Sequence, residues 1–328
     1  LILSLIVVEE LVKTFRVAQR RAGTWGAVKG LVSREYHSVY ALDRVSFNIE
    51  AGDLVGYIGP NGAGKSTTVK ILSGILVPTS GKCTVNGRTP WKSRKQNAAD
   101  IGVVFGQRTQ LWWDLPVIES FELLREIYRV SAASYKLALD ELVSLLSLES
   151  LLDVPVRQLS LGQRMRCDLA AALIHSPSLL FLDEPTIGLD AVSKLAVREF
   201  IRKCNRERGT TVILTTHDMA DIEALCSRIL LIGNGKLLMD GTLNDLRASV
   251  TSERWLIVDL MEDGVEISDP DARVISREGS RFHLSFEPDQ ISPADLISRI
   301  SSKYQIKDLF VENPPIENII SRMYKKCT

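Results

Sequence analysis

Leu159-Ser160-Leu161-Gly162-Gln163, Leu179-Leu180-Phe181-Leu182-Asp183-Glu184 and Gly188-Leu189-Asp190 follow one another in a short stretch of this chain. Ser160 stands where a helix should start, and Gln163 follows three residues later, which is a capping-box pattern. A helix start with a hydroxyl and Gly162 is also an anion site, and the two readings are compatible. Met165, Leu169 and Leu173 space as one helical face, and Pro177 limits the helix. Leu179 to Leu182 is apolar without alternation, as a buried parallel strand would be. Asp183 and Glu184 are therefore expected at the carboxyl edge of a sheet, where ligands bind in open α/β folds. Neighbouring side chains on a strand point opposite ways, so the strand must end there for both acids to reach one site.

Upstream, Gly59-Pro60-Asn61-Gly62-Ala63-Gly64-Lys65-Ser66-Thr67 separates an apolar run, Asp53 to Ile58, from helical spacing over Ser66 to Leu76. Strand, glycine-rich loop and helix in that order are the context of a P-loop. The glycines let backbone N–H groups face one concavity, and the helix start adds its positive dipole end. Lys65 supplies a charge for the β- and γ-phosphates, and Ser66 a hydroxyl ligand for Mg²⁺. Asp183 is expected to hold the same ion through water, and Glu184 to polarise an attacking water.

Around these parts the chain reads as α/β. Leu1 to Val8 and Val45 to Ile49 read as strands, and Thr211 to Thr215 as another buried one. Residues from about 100 to 175 read as mainly helical, with helices over Glu119 to Tyr128 and Tyr135 to Leu146. After about residue 245 the pattern changes to alternating strands at Trp255 to Leu260 and Phe282 to Phe286, with turns at Asp263-Gly264 and Glu278-Gly279. Pro293 to Ser302 and Ile316 to Tyr324 read as helices and Ile306 to Val311 as a strand, giving a small α+β domain. The expected division is 1–244 for nucleotide binding, with a helical subdomain at about 100–175, and 245–328 for an accessory domain.

Composition narrows the partners. Forty basic and forty acidic residues give a net charge of zero, which argues against general nucleic-acid binding. The five cysteines are dispersed without a CxxC pair, which suits reduced thiols better than a disulfide framework or zinc site. No run approaches the roughly eighteen apolar residues of a membrane span, so the chain is not expected to cross a membrane alone. Arg16 to Arg34 reads as a basic surface insertion, either a solvated loop or a contact with acidic lipid headgroups.

In their order, Gly59 to Thr67, Gln107, Leu159 to Gln163, Asp183-Glu184, Asp190 and His217 resemble the ATP-binding subunit of an ABC transporter. The resemblance implies a P-loop NTPase core of the ABC ATPase type that hydrolyses ATP with Mg²⁺. It implies that Gln107 links Mg²⁺ and the γ-phosphate to a membrane partner. Ser160, Gly162 and Gln163 would contact the γ-phosphate of ATP held by a second subunit, identical or closely similar. Asp190 would be the acid of the D-loop, and His217 would sense the γ-phosphate. Tyr36 would stack on adenine, with Tyr40 as the competing candidate.

Leu161 stands where the family usually has glycine, and it is expected to face away from the nucleotide. This Leu-Gly-Gln form, together with Gln107 to Pro116 and Pro314-Pro315-Ile316-Glu317, is similar to ABC-2 type exporter subunits of the daunorubicin and viologen-exporter kind. The implied partner is a separate permease, and the implied place is the cytoplasmic face of the cell membrane. Trp112 and Trp113 fall where the family's permease inserts a coupling helix, so partner contact and core packing both remain open. The competing function is a soluble ABC ATPase acting on ribosomes or nucleic acid. Such relatives usually carry two nucleotide domains or long coiled-coil insertions, which this sequence lacks.

Overall fold

A computed structural model describes residues 4–18, 36–106, 108–250, 253–262 and 264–326. Strands β1 (Ser4–Ala18), β2 (Tyr36–Glu50) and β3 (Leu54–Ile58) lead to helix α1 (Lys65–Leu72). Next come β4 (Ser80–Val85), α2 (Arg94–Asp100), β5 (Ile101–Phe105), α3 (Val117–Tyr128), α4 (Ala132–Leu146) and α5 (Leu161–Leu173). Then follow β6 (Leu179–Asp183), α6 (Ala191–Arg208), β7 (Thr211–Thr216), α7 (Met219–Leu225), β8 (Arg228–Gly233) and β9 (Lys236–Gly241). These elements form one compact unit ending at Gly241.

Two sheets face each other across its core. The first is antiparallel in the order β2-β1-β4, and the second runs β5-β6-β7-β3-β8-β9. In the second sheet β5, β6, β7, β3 and β8 are parallel and only β9 is reversed. Ile6, Leu11, Val45 and Ile49 of one sheet and Tyr57, Phe181 and Ile213 of the other pack into one buried cluster with Val69 and Leu72 of α1. Such burial is the main favourable term in the fold. In register, Phe105 lies beside Asp183, Asp183 beside Thr215, and Thr215 beside Tyr57. The carboxyl ends of four neighbouring strands are thus level, and the loops that leave them share one edge.

Two expectations change here. Ile101–Phe105 is a strand rather than part of a helical stretch, because its apolar residues are buried at the sheet edge beside β6. Helix α1 ends at Leu72 rather than Leu76, because Gly74 turns to φ 79° and the amide of Leu76 closes on the Lys70 carbonyl. Gln107, Asp263, Cys327, residues 1–3 of the first strand and residues 19–34 of the basic insertion lie outside the described residues.

A second compact unit begins at Thr242. Thr242 and Asp245 bond reciprocally at the start of α8 (Leu243–Val250). Strands β10 (Arg254–Leu260), β11 (Ala272–Glu278) and β12 (Arg281–Phe286), helix α9 (Pro293–Lys303), β13 (Ile306–Glu312) and α10 (Ile316–Lys326) follow. The antiparallel order is β11-β12-β10-β13, and Leu296 and Ile300 of α9 cover Leu256, Val258 and Leu284. β11 was not expected, because this edge strand is mostly exposed and carries no apolar alternation. Among the described residues no helix is long and apolar enough to cross a membrane. Cys83, Cys167, Cys204 and Cys226 are buried free thiols.

Candidate functional site

The loop leaving β3 is shaped by glycines that cannot be replaced freely. Gly64 sits at φ 111°, and a Cβ there would stand 2.5 Å from the Ala41 carbonyl oxygen. The turn delivers Lys65 to the start of α1, where its Nζ donates to the carbonyl oxygens of Gly59 at 2.7 Å and Pro60 at 3.2 Å. Burial lowers the ammonium pKa of Lys65, while Glu184 and Asp183 pull it back up. A desolvated cation at a helix start is poised for an anion.

Across the cleft, β6 ends at Asp183 and Glu184 turns to φ 55°. That left-handed turn lets adjacent acids face one site, as the strand-end argument requires. Asp183 Oδ2 accepts from Ser66 Oγ at 3.0 Å, and Thr215 Oγ1 donates to Asp183 Oδ1. Backbone bonds lock the turn: the Gly106 amide donates to the Asp183 carbonyl at 2.8 Å, and the Glu184 amide to Thr215 at 2.9 Å. His217, just beyond β7, has Nδ1 3.1 Å from Glu184 Oε1.

A cleft of about 850 Å³ is lined by Asn61, Gly62, Gly64, Lys65, Ser66 and Thr67 with Asp183, Glu184 and Phe15, while His217 does not line it and touches it only through Glu184. Backbone amides and a lysine on one wall suit phosphates. The hydroxyl of Ser66 beside the carboxylate of Asp183 offers the hard oxygen donors that Mg²⁺ prefers. The residues present therefore fit ATP with Mg²⁺. Gly106 and Arg108, which flank Gln107, also line this cleft.

The aromatic wall differs from expectation. Tyr36 pairs with Ala18 at the far end of β1 and β2, and Tyr40 pairs with Thr14; neither lines the cleft. Phe15 does, opposite Val39, with Lys13 Nζ 5.1 Å from its ring centre. Spacing from the glycine loop hid this residue, since Phe15 reaches the site by antiparallel pairing and not by closeness in sequence.

Ser160, Gly162, Gln163 and Asp190 form a separate cluster that does not line this cleft. The capping box is complete: Gln163 N donates to Ser160 Oγ at 3.2 Å and Ser160 N to Gln163 Oε1 at 2.8 Å. Ser160 is nevertheless exposed. A Cβ on Gly162 would come within 2.5 Å of Ser193 Oγ. Asp190 caps α6 by accepting from the amide and hydroxyl of Ser193, bonds that hold its carboxyl below its ordinary pKa. Leu161 is half-buried and packs toward the turn at Gly188. Trp112 and Trp113 are 38% and 51% exposed, so neither is a core residue.

The same helix holds a buried acid that the motif reading passed over. Asp168 is 4% exposed, and burial pushes its carboxyl up to about 6, against hydrogen bonds from Thr109 and Gln110 that pull it down. A folded-state pKa above the unfolded one means stability present at low pH and lost as pH rises through about 6. Asp168→Asn, which keeps an acceptor without the charge, is expected to be more stable than the parent by up to about 3 kcal/mol above pH 7. The gain should vanish toward pH 4. Thermal unfolding across that range checks this; a constant difference would contradict it.

Comparison with known proteins agrees with this geometry. The ABC transporter family profile matches residues 42–187. A probable sulfate/thiosulfate import ATP-binding protein of Chlorella vulgaris is 36% identical, over 66% of this chain and 90% of its own. The bacitracin transport ATP-binding protein of Bacillus licheniformis is 29% identical, over 86% of this chain and 88% of its own. Among solved structures, a dimeric ATP-binding cassette bound to ADP and Pi in a post-hydrolysis state is 28% identical with a TM-score of 0.59; the match covers 73% of this chain and 98% of that one. The chain belongs to the ABC transporter family as an ATP-binding subunit and ATPase.

Proposed function

We propose that this subunit powers an ABC-2 type exporter carrying a small molecule, drug or lipid-like cargo. The observation that carries this reading is the run Gln107 to Pro116, whose two tryptophans stand partly exposed directly after the cleft. Exposed aromatics are common interface anchors. A Nod factor export ATP-binding protein of Neorhizobium galegae, 36% identical over 71% of this chain and 67% of its own, supports export, whereas the sulfate/thiosulfate relative is named for import.

Within one subunit, Lys65 and the amides of the Gly59–Thr67 loop hold the phosphates. Ser66, Asp183 and Gln107 hold Mg²⁺, which neutralises charge on the phosphate oxygens when bound. Glu184 orients and deprotonates the attacking water, and His217 positions Glu184 and the γ-phosphate. Phe15 takes the adenine-stacking place first expected of Tyr36. The partner subunit, most simply a second copy of this chain, supplies Ser160, Gly162, Gln163 and Asp190 to complete the site. ATP favours the closed dimer through its contacts with both subunits, and hydrolysis removes that preference.

The first compact unit is the nucleotide-binding domain and the second an accessory domain. The protein sits at the cytoplasmic face of the cell membrane through its permease, without nucleic acid. Isolation of tagged protein from detergent-solubilised membranes tests this. A polytopic membrane protein should co-purify, and its removal should abolish ATP-dependent efflux from cells. Recovery with ribosomes or nucleic acid, or ATP-driven uptake through that permease, would contradict the reading.

A further inference from the structure

The segment after Gln107 is gripped by the helix that begins at Ser160. Asp168 Oδ1 accepts from Thr109 Oγ1 at 2.8 Å and from the Gln110 amide at 3.0 Å. Gln110 Nε2 donates back to the Asp168 carbonyl at 3.0 Å, and Thr109 Oγ1 also accepts from the Leu111 amide at 3.1 Å. One turn earlier on the same face of α5, the Arg164 guanidinium lies 5.7 Å from the Trp113 ring centre. On the other side of Gln107, Gly106 is tied to β6 through the Asp183 carbonyl. The chain therefore passes from an anchor on the sheet to an anchor on α5 between Gly106 and Thr109.

We propose that Asp168 and Arg164 form a clamp through which α5 carries the movement of its Ser160 end into the Trp112-Trp113 surface, with Asp168 as the positioning residue. A buried carboxylate inside a helix is costly unless its hydrogen bonds are used, and here the bonds go to Thr109 and Gln110 of the segment after Gln107. Asp168 touches neither nucleotide nor reacting water. It acts by fixing Thr109 and Gln110 to the helix whose start meets the neighbouring subunit's ATP. When that start is drawn onto the neighbour's phosphate, the tryptophans must move with it. The inference rests on the two-subunit site described above.

The test uses full-length chain carrying Glu184→Gln, which should stay closed on ATP. The ATP-induced change in tryptophan emission is assigned to Trp113 by its loss in Trp113→Phe, while gel filtration follows the dimer. The clamp predicts a retained signal in Asp168→Asn and a signal lost in Asp168→Ala and Thr109→Val, with the dimer still formed. In the otherwise unaltered chain, Asp168→Ala and Thr109→Val should lower kcat about tenfold, the scale of a lost hydrogen bond to a charged group, with KM for ATP unchanged. Thr109→Val carries the test if Asp168→Ala fails to fold. An ATP-bound dimer with no Trp113 signal, or with the signal and kcat kept in Thr109→Val, overturns the clamp alone. Absence of any ATP-bound dimer overturns the shared site and the clamp together.

Discussion

Glu184→Gln is expected to lower ATP turnover by about a hundred- to ten-thousandfold, the range for removing a general base. Binding of ATP should persist. The substitution keeps the size of the side chain and its contact with His217, whose Nδ1 is 3.1 Å away. It removes only the capacity to accept a proton. Asp183, tied to Ser66 at 3.0 Å, is untouched, so the oxygens proposed to hold Mg²⁺ remain. With hydrolysis blocked and binding intact, ATP should hold the closed dimer. Steady-state turnover and gel filtration with ATP read the two halves of this prediction. Turnover within tenfold of the parent would remove Glu184 from the role of base.

Ser160→Arg should abolish hydrolysis with a different signature. Ser160 is exposed and lies outside the cleft that holds Lys65 and Asp183, so a single subunit should bind ATP as before. The fold should lose only the helix cap, about 1 kcal/mol, plus a small penalty for a cation at a helix start. Dimer closure on ATP should fail, because the helix start proposed to meet the neighbouring phosphate is filled by a long charged side chain. Fluorescent-nucleotide binding, thermal unfolding and turnover separate these effects. Equal loss of binding and turnover would mean that Ser160 serves only the fold.

The cleft was legible in the sequence wherever chemistry demands a set spacing. A loop that wraps phosphates needs glycines at positive φ and a lysine at the helix start, so Gly59 to Thr67 could be read directly. Asp183 and Glu184 could be placed because four buried apolar residues precede them, and the turn at Glu184 is the one that stereochemistry requires. Phe15 was not legible, since it becomes a neighbour of the loop only through the pairing of β1 with β2. Tyr36, favoured by spacing, is placed by that pairing opposite Ala18, three register positions beyond Phe15, and does not line the cleft. Edge strand β11 lacked a signal because exposed edges need no apolar alternation. Asp168 reads as an ordinary helical acid until its buried bonds to Thr109 and Gln110 are seen.

In the stretch from Leu159 to Asp190, Asp183 and Glu184 line this subunit's cleft and Ser160 to Gln163 do not, and the proposal assigns the latter to a neighbouring subunit's ATP. A mixing experiment tests that division most directly. A Lys65→Ala subunit lacks its own phosphate site but keeps Ser160, and a Ser160→Arg subunit has the reverse defect. Each should be inactive alone, and mixing them should restore ATP turnover through dimers that hold one intact shared site. A mixture as inactive as its components would contradict the account.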